Sequence, residues 1–261
     1  MAETNDFATY EECMAYTSDL DTDIRKVRGL LMAFGLEKRI RIAYDEWNLR
    51  GWHHPGVLSI QQAISEEDYL LPRNLNDRNC DYTMADAVFT ACFLNTLCRN
   101  CDIIGMANFS PAVNTRGCIY TYPGGIVLRS TYHVFDLYTN ALGKEILDCT
   151  LEGVGQLTCR GKDGVTQTVP ALDALCTRRR SDNFLAVALV NKHPESTCSV
   201  RLDWPARAFR LITVSGESTE AYNDVDRTMV SCTDTPWMPC DSAFAVTLPP
   251  HSVSVVQLRT A

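Results

Sequence analysis

Apolar residues recur with a helical period over 21–34, where Ile24, Val27, Leu30, Leu31 and Phe34 fall on one stripe. Gly35 follows as a helix-ending glycine. Arg39-Ile40-Arg41-Ile42-Ala43-Tyr44 then reads as a short strand rich in β-branched residues. A long loop with Gly51, Pro55, Gly56 and Pro72 separates it from Thr83, which opens a second helix. The Thr83 hydroxyl is placed to cap the amide near Asp86, and that acid suits the positive helix end. Met84, Ala87, Val88, Ala91, Leu94 and Cys98 form the face this helix is expected to bury. Asp102-Ile103-Ile104-Gly105-Met106-Ala107 reads as another strand, and after a second loop a helix is expected from about Thr131 to Leu142, ended by Gly143. Helix and strand in alternation imply parallel strands with crossover helices, an α/β arrangement.

Beyond Gly143 the period falls to two. Leu185–Val190, Ser199–Leu202, Phe209–Ile212, Phe244–Leu248 and Val253–Leu258 read as short strands, separated by turn-forming residues. That spacing predicts an all-β unit, an antiparallel β-sandwich. The change of period places a boundary near 143, dividing the chain into 1–143 and 144–261.

Charge narrows the range of partners. Lys and Arg total 24 against 32 Asp and Glu, a formal net charge of −8. No nucleic acid and no anionic membrane is expected as a partner, because both are held by clustered cations. The one dense basic run, Arg178-Arg179-Arg180, is read as a solvated turn or strand end. The opening residues carry acids and no apolar core of a secretory signal. With no stretch near the ~18 apolar residues of a membrane span, the expected location is cytoplasmic. The 12 cysteines then read as reduced thiols, most of them buried. Cys98-Arg99-Asn100-Cys101 has a C-x-x-C spacing but no second pair to complete a zinc site, so two core-facing thiols are expected and no metal. No phosphate loop or dinucleotide fingerprint is present, and no cofactor is expected.

The first candidate for chemistry is Glu46. It stands at the C-terminal end of a parallel strand, in Tyr44-Asp45-Glu46-Trp47-Asn48, where such folds place their active sites. Trp47 offers an aromatic face for a sugar, and Asn48 is suited to orient a carboxylate. Asp45 is expected to face away from Glu46, since strand neighbours alternate. Trp52, His53 and His54 follow closely enough to line a substrate site. Asn108 and Asn114, at and beyond the end of the second strand, are candidates for polar contacts at its rim. His133 is read as structural, and Glu66 and Glu67 as solvated loop acids.

The segment Arg39–Asn48 resembles the nucleophile strand of glycoside hydrolase family 51, the α-L-arabinofuranosidases, with its Asp-Glu-Trp-Asn motif. The resemblance runs on in order. Thr83–Ala87 to Phe93–Asn95 is similar to the family's seventh barrel helix, and Met106–Asn108 with Val113-Asn114 to its eighth strand and loop. Ser130–Tyr138 is similar to the eighth helix, and Leu248–Val253 to the closing strand of the C-terminal sandwich. The resemblance implies the last two strands and helices of a (β/α)8 TIM barrel over 1–143, then a jelly-roll-like sandwich over 144–261. It implies Glu46 as the catalytic nucleophile of a retaining α-L-arabinofuranosidase. Its partners would be arabinose-containing oligosaccharides or polysaccharides, in a homo-oligomer of the parent enzyme.

Two departures stand out. Ser110-Pro111 replaces a substrate-loop glutamine of the best-known members. The family's acid/base glutamate, in an Asn-Glu pair after the fourth strand, has no counterpart here. A retaining glycosidase needs two carboxyl groups about 5–5.5 Å apart. The chain is therefore expected to supply the nucleophile and to be inactive without the missing N-terminal barrel half. A truncated product, half of a split enzyme and a piece of an intact one all fit. The alternative is a non-catalytic fragment acting as a carbohydrate-binding or interaction module.

Overall fold

The computed structural model describes residues 9–49, 79–109, 111–114, 116–161, 164–179, 184–241 and 243–260. Among the described residues there are four α-helices: α1 (Tyr10–Ala15), α2 (Asp19–Ala33), α3 (Met84–Arg99) and α4 (Ser130–Ala141). Strands β1 (Ile42–Trp47) and β2 (Ile104–Phe109) form a parallel pair, with α3 lying between them in the chain. A hairpin of β3 (Ile119–Tyr122) and β4 (Gly125–Leu128) follows.

From residue 145 onward every element among the described residues is a strand: β5 (Glu145–Leu147), β6 (Gln156–Arg160), β7 (Thr166–Pro170), β8 (Leu172–Arg179), β9 (Phe184–Asn191), β10 (Cys198–Asp203), β11 (Ala206–Gly216), β12 (Val230–Asp234), β13 (Met238–Pro239), β14 (Ala243–Leu248) and β15 (Ser252–Thr260). Seven of them make one antiparallel sheet in the order β12-β11-β15-β9-β8-β5, with β13 also on β11; β10–β14 and β6–β7 are separate antiparallel pairs.

Local chemistry explains most boundaries. Thr83 and Asp86 form a reciprocal capping box at the start of α3, worth about 1 kcal/mol. Gly35 takes φ +65° after α2, a left-handed conformation that favours glycine. The strand expected at 39–44 begins later, at Ile42, because the Leu36 carbonyl accepts from the amides of Arg39 and Ile40 and folds that stretch into a turn. Gly143 follows α4 for a different reason. A Cβ there would lie 2.3 Å from the carbonyl carbon of Arg178, so this position admits no side chain where the chain passes β8. Gly143→Ala is expected to cost about 1–3 kcal/mol, an overpacking penalty, read as a lower urea midpoint at unchanged slope.

The large sheet sits between two layers. In β9 the side chains of Phe184, Ala186, Ala188 and Val190 join the helices in one core, while Leu185, Val187 and Leu189 join β10 and β14 in another. A strand covered on both faces reads as a continuous apolar run, as Leu185–Val190 does. The sequence suggested two sheets face to face. The structure sets the two-stranded β10–β14 sheet on one face of the seven-stranded sheet and packs helices on the other.

The residue-143 boundary separates two kinds of element but not two cores. Tyr10, Met14, Val88, Ala91 and Val134 pack with Ile212, Val214, Val253 and Val255. Tyr10 donates to the Lys192 carbonyl at 2.7 Å, Gln167 donates to the Ala15 carbonyl at 2.8 Å, and Lys192 reaches Thr17 at 3.1 Å. Across the same seam, Arg99 donates to Asp173 at 2.7 Å, and Asn95 links Asp173 to the Tyr138 hydroxyl.

The apolar stripe of α2 forms as a helix but is largely uncovered. Ile24 is buried, whereas Val27, Leu30 and Phe34 are exposed, Phe34 by 75%. Met106 of β2 and Ile40 are exposed as well. Among the described residues, no helix is long and apolar enough to cross a membrane.

Candidate active site

The register of the parallel pair decides what the strand ends present. Tyr44 pairs with Ala107 and Trp47 with Phe109. Two residues of β1, Asp45 and Glu46, therefore lie opposite one residue of β2, Asn108. This is a β-bulge, a device that re-aims side chains at the ends of strands. It also shifts the phase of β1, so that Tyr44 and Trp47, three apart, both meet Phe93 of α3. The strict alternation expected at Asp45–Glu46 is interrupted, and both carboxylates are exposed. Glu46 thus stands level with exposed Asn108 at the C-terminal ends of two parallel strands.

Beneath the carboxylates the packing is aromatic. Trp47 is 5% exposed, stacked on Phe93 at 4.1 Å and edge-on to Phe109 at 5.1 Å, with Phe135 of α4 at 6.0 Å. This corrects the expectation of an open sugar platform: the indole supports the strand end from below. Its Nε1 is buried without a protein partner. Burial, then the charge of Asp23, raises the pKa of Tyr44, so its phenol stays protonated at neutral pH.

Asn48 and Asn114 are also engaged within the protein. Asn48 donates through Nδ2 to the Arg116 carbonyl at 3.0 Å and accepts through Oδ1 from the Leu49 amide at 2.8 Å. Asn114 has φ 55°, and its side chain exchanges hydrogen bonds with Thr121, including the Thr121 amide at 2.8 Å. These bonds fit walls better than contacts offered to a ligand. Trp52, His53 and His54 lie outside the described residues, as do Glu66, Glu67 and Ser110.

One organising residue escaped the sequence reading. Arg129 is fully buried at the start of α4, donating to Asn79 Oδ1 at 2.8 Å and to the Gly117 carbonyl at 2.7 Å. Its guanidinium lies 4.1 Å from the Tyr82 ring centroid. Asn48 grips residue 116 and Arg129 grips residue 117, so the loop after β2 is held from two sides. An arginine before a helix carries no sequence signal of burial, since arginines are rarely fully buried. His133, half-buried, lies 3.3 Å from Asn223, and desolvation lowers its pKa. No group of three His, Cys, Asp or Glu side chains suited to a metal ion lies among the described residues.

A parallel β/α unit with carboxylates at its strand ends, set on a large antiparallel sheet, defines the class of this mixed α/β protein. The chain belongs to the α-L-arabinofuranosidase C-terminal domain family, matching it over residues 45–252. It corresponds to the C-terminal region of glycoside hydrolase family 51 α-L-arabinofuranosidases. A probable α-L-arabinofuranosidase C of Aspergillus niger is 26% identical over 228 residues, covering 86% of this chain and 41% of its own. An intracellular exo-α-(1→5)-L-arabinofuranosidase of Halalkalibacterium halodurans is 26% identical over 204 residues, covering 76% of this chain and 38% of its own. Among solved structures, the α-L-arabinofuranosidase of Thermotoga maritima, in complex with arabinose, superposes with a TM-score of 0.77 at 23% identity. That superposition covers 97% of this chain and 50% of the other. The chain spans about two-fifths of the length of these curated relatives.

Proposed function

We propose that this chain carries the nucleophile of a retaining α-L-arabinofuranosidase and acts with a complementary barrel half. Glu46 attacks the anomeric carbon of a terminal arabinofuranosyl group and forms a glycosyl ester. A second carboxyl group, supplied by strands outside this chain, protonates the leaving oxygen and then activates water. The observation that carries the reading is the bulge, which sets Glu46 level with Asn108 at the C-terminal ends of two parallel strands. Parallel barrels place their chemistry on that side. Asn108 is proposed to donate to the sugar, while Trp47, Asn48 and Asn114 hold the strand end and the neighbouring loop in place. Trp52 and His53 remain proposed substrate contacts. The substrates are arabinose-containing oligosaccharides or polysaccharides met in the cytoplasm, and the completed enzyme is a homo-oligomer.

Several features support the need for a complement. A parallel pair is normally covered on both faces and paired on both edges. Here β1 and β2 pair only with each other among the described strands, and the α2 stripe and Met106 are exposed. In this reading β1 and β2 are the last two strands of a (β/α)8 barrel. The chain alone is expected to show no turnover.

The test fuses the N-terminal half of the Thermotoga maritima enzyme to this chain in one polypeptide. Hydrolysis of a nitrophenyl α-L-arabinofuranoside with retained anomeric configuration is expected. A folded fusion that binds arabinose without turnover would favour the non-catalytic, carbohydrate-binding alternative and overturn the proposal.

A further inference from the structure

We infer that Cys98 and Cys101 form a thiol–disulfide site, which a small-molecule disulfide of the glutathione type converts into an intrachain disulfide across the turn joining α3 to β2. The inference stands independently of any catalytic role for Glu46. Cys98 lies in the last turn of α3, half-buried against the helix-side core, and Cys101 is exposed. The exposure of Cys101 corrects the expectation of two core-facing thiols. The Cys101 amide donates to the Cys98 carbonyl at 3.1 Å, closing a turn. Such a turn brings the two Cα atoms within about 7 Å, and disulfides bridge Cα atoms about 4.4–6.8 Å apart. Both thiols are free.

The two sulfurs differ in the way that sequential exchange requires. Burial, reinforced by the neighbouring Cys101, raises the pKa of the Cys98 thiol. Cys101 is the point of entry because it is exposed while Cys98 is half-buried, and a thiol reacts only where the disulfide can reach it. The Cys101 thiol loses its proton to water, and the resulting thiolate attacks one sulfur of the oxidised glutathione. That step forms a mixed disulfide and releases one glutathione thiolate. Cys98, deprotonated in turn by solvent, attacks the Cys101 sulfur and displaces the second glutathione. Two protein thiols are oxidised, and one external disulfide is reduced to two thiols.

The turn is also where three elements are tied together. Arg28 of α2 donates to both carboxylate oxygens of Asp102, at 2.6 and 2.9 Å, and to Asn100 at 3.3 Å. Asn100 donates to the Thr96 carbonyl at 2.9 Å. Arg41, just before β1, donates to the carbonyls of Cys101 and Ile104. A disulfide here locks the segment that fixes α2 and β1 to the start of β2.

The test incubates the intact chain with oxidised glutathione and maps its peptides by mass. Loss of the two free thiols of Cys98 and Cys101 to a shared disulfide is expected, with slower amide exchange over 100–104. Exposed Cys232 serves as an internal reference, holding a simple adduct. Cys98→Ser is expected to stop the reaction at a stable glutathione adduct on Cys101, and Cys101→Ser to leave Cys98 unmodified. A persistent Cys101 adduct in the unsubstituted chain, no reaction at either thiol, or pairing of either with a different cysteine overturns the inference.

Discussion

In the barrel-completed protein, Glu46→Gln is expected to lower kcat for a nitrophenyl α-L-arabinofuranoside by about 10⁴-fold or more, the scale seen when a hydrolase loses its attacking nucleophile. The amide keeps the size and hydrogen-bonding capacity of the side chain but cannot form the glycosyl ester. Because Glu46 is exposed, folding is expected to change by no more than about 0.5 kcal/mol, so the loss reports chemistry. Glu46→Ala with added azide gives a sharper reading. The small anion enters the space left by the carboxylate and attacks the same face, releasing a glycosyl azide of inverted configuration. Unimpaired hydrolysis by Glu46→Gln would remove Glu46 from the mechanism.

Arg129→Met is expected to produce the largest loss of stability, about 3 kcal/mol or more, on the scale of losing two charge-assisted hydrogen bonds from a buried site. Met replaces the aliphatic stem but leaves Asn79 Oδ1 and the Gly117 carbonyl without this donor, and it removes the cation from the Tyr82 ring. For a protein of this size the melting temperature should fall by roughly 6–12 °C. Hydrogen exchange should rise first near residues 79–82 and 116–118, which the arginine joins. A uniform rise across the large sheet would show that Arg129 holds the whole fold rather than the loop after β2.

Much of the architecture was legible in the sequence because its signals are local. The Thr83–Asp86 capping box, Gly35 after α2, and the short apolar runs in β9, β11, β14 and β15 need only near neighbours to be recognised. The β3–β4 and β6–β7 hairpins were missed, since their short segments carry a weak period and sit among turn residues. The phase of β1 was missed for a sharper reason. Trp47 turns inward because Phe93 and Phe109, remote in sequence, offer it a stacking site, and the strand takes in an extra residue to reach them. The candidate site was read as a set of residue types at a strand end. That Asn48 and Asn114 are bonded within the protein was not legible, because they find their partners at Arg116 and Thr121 only after the chain has folded.

The seam between α1 and the strands of the second half reaches beyond stability. Tyr10, Ala15 and Thr17 are hydrogen-bonded to Lys192 and Gln167, so the opening helix is fastened to strands more than 150 positions away. Expressing 144–261 by itself would strip a helical cover from Val190, Val214 and Val255 and leave a greasy, sticky sheet. Moving this sheet into another protein would have to carry α1 along with the strands it clasps.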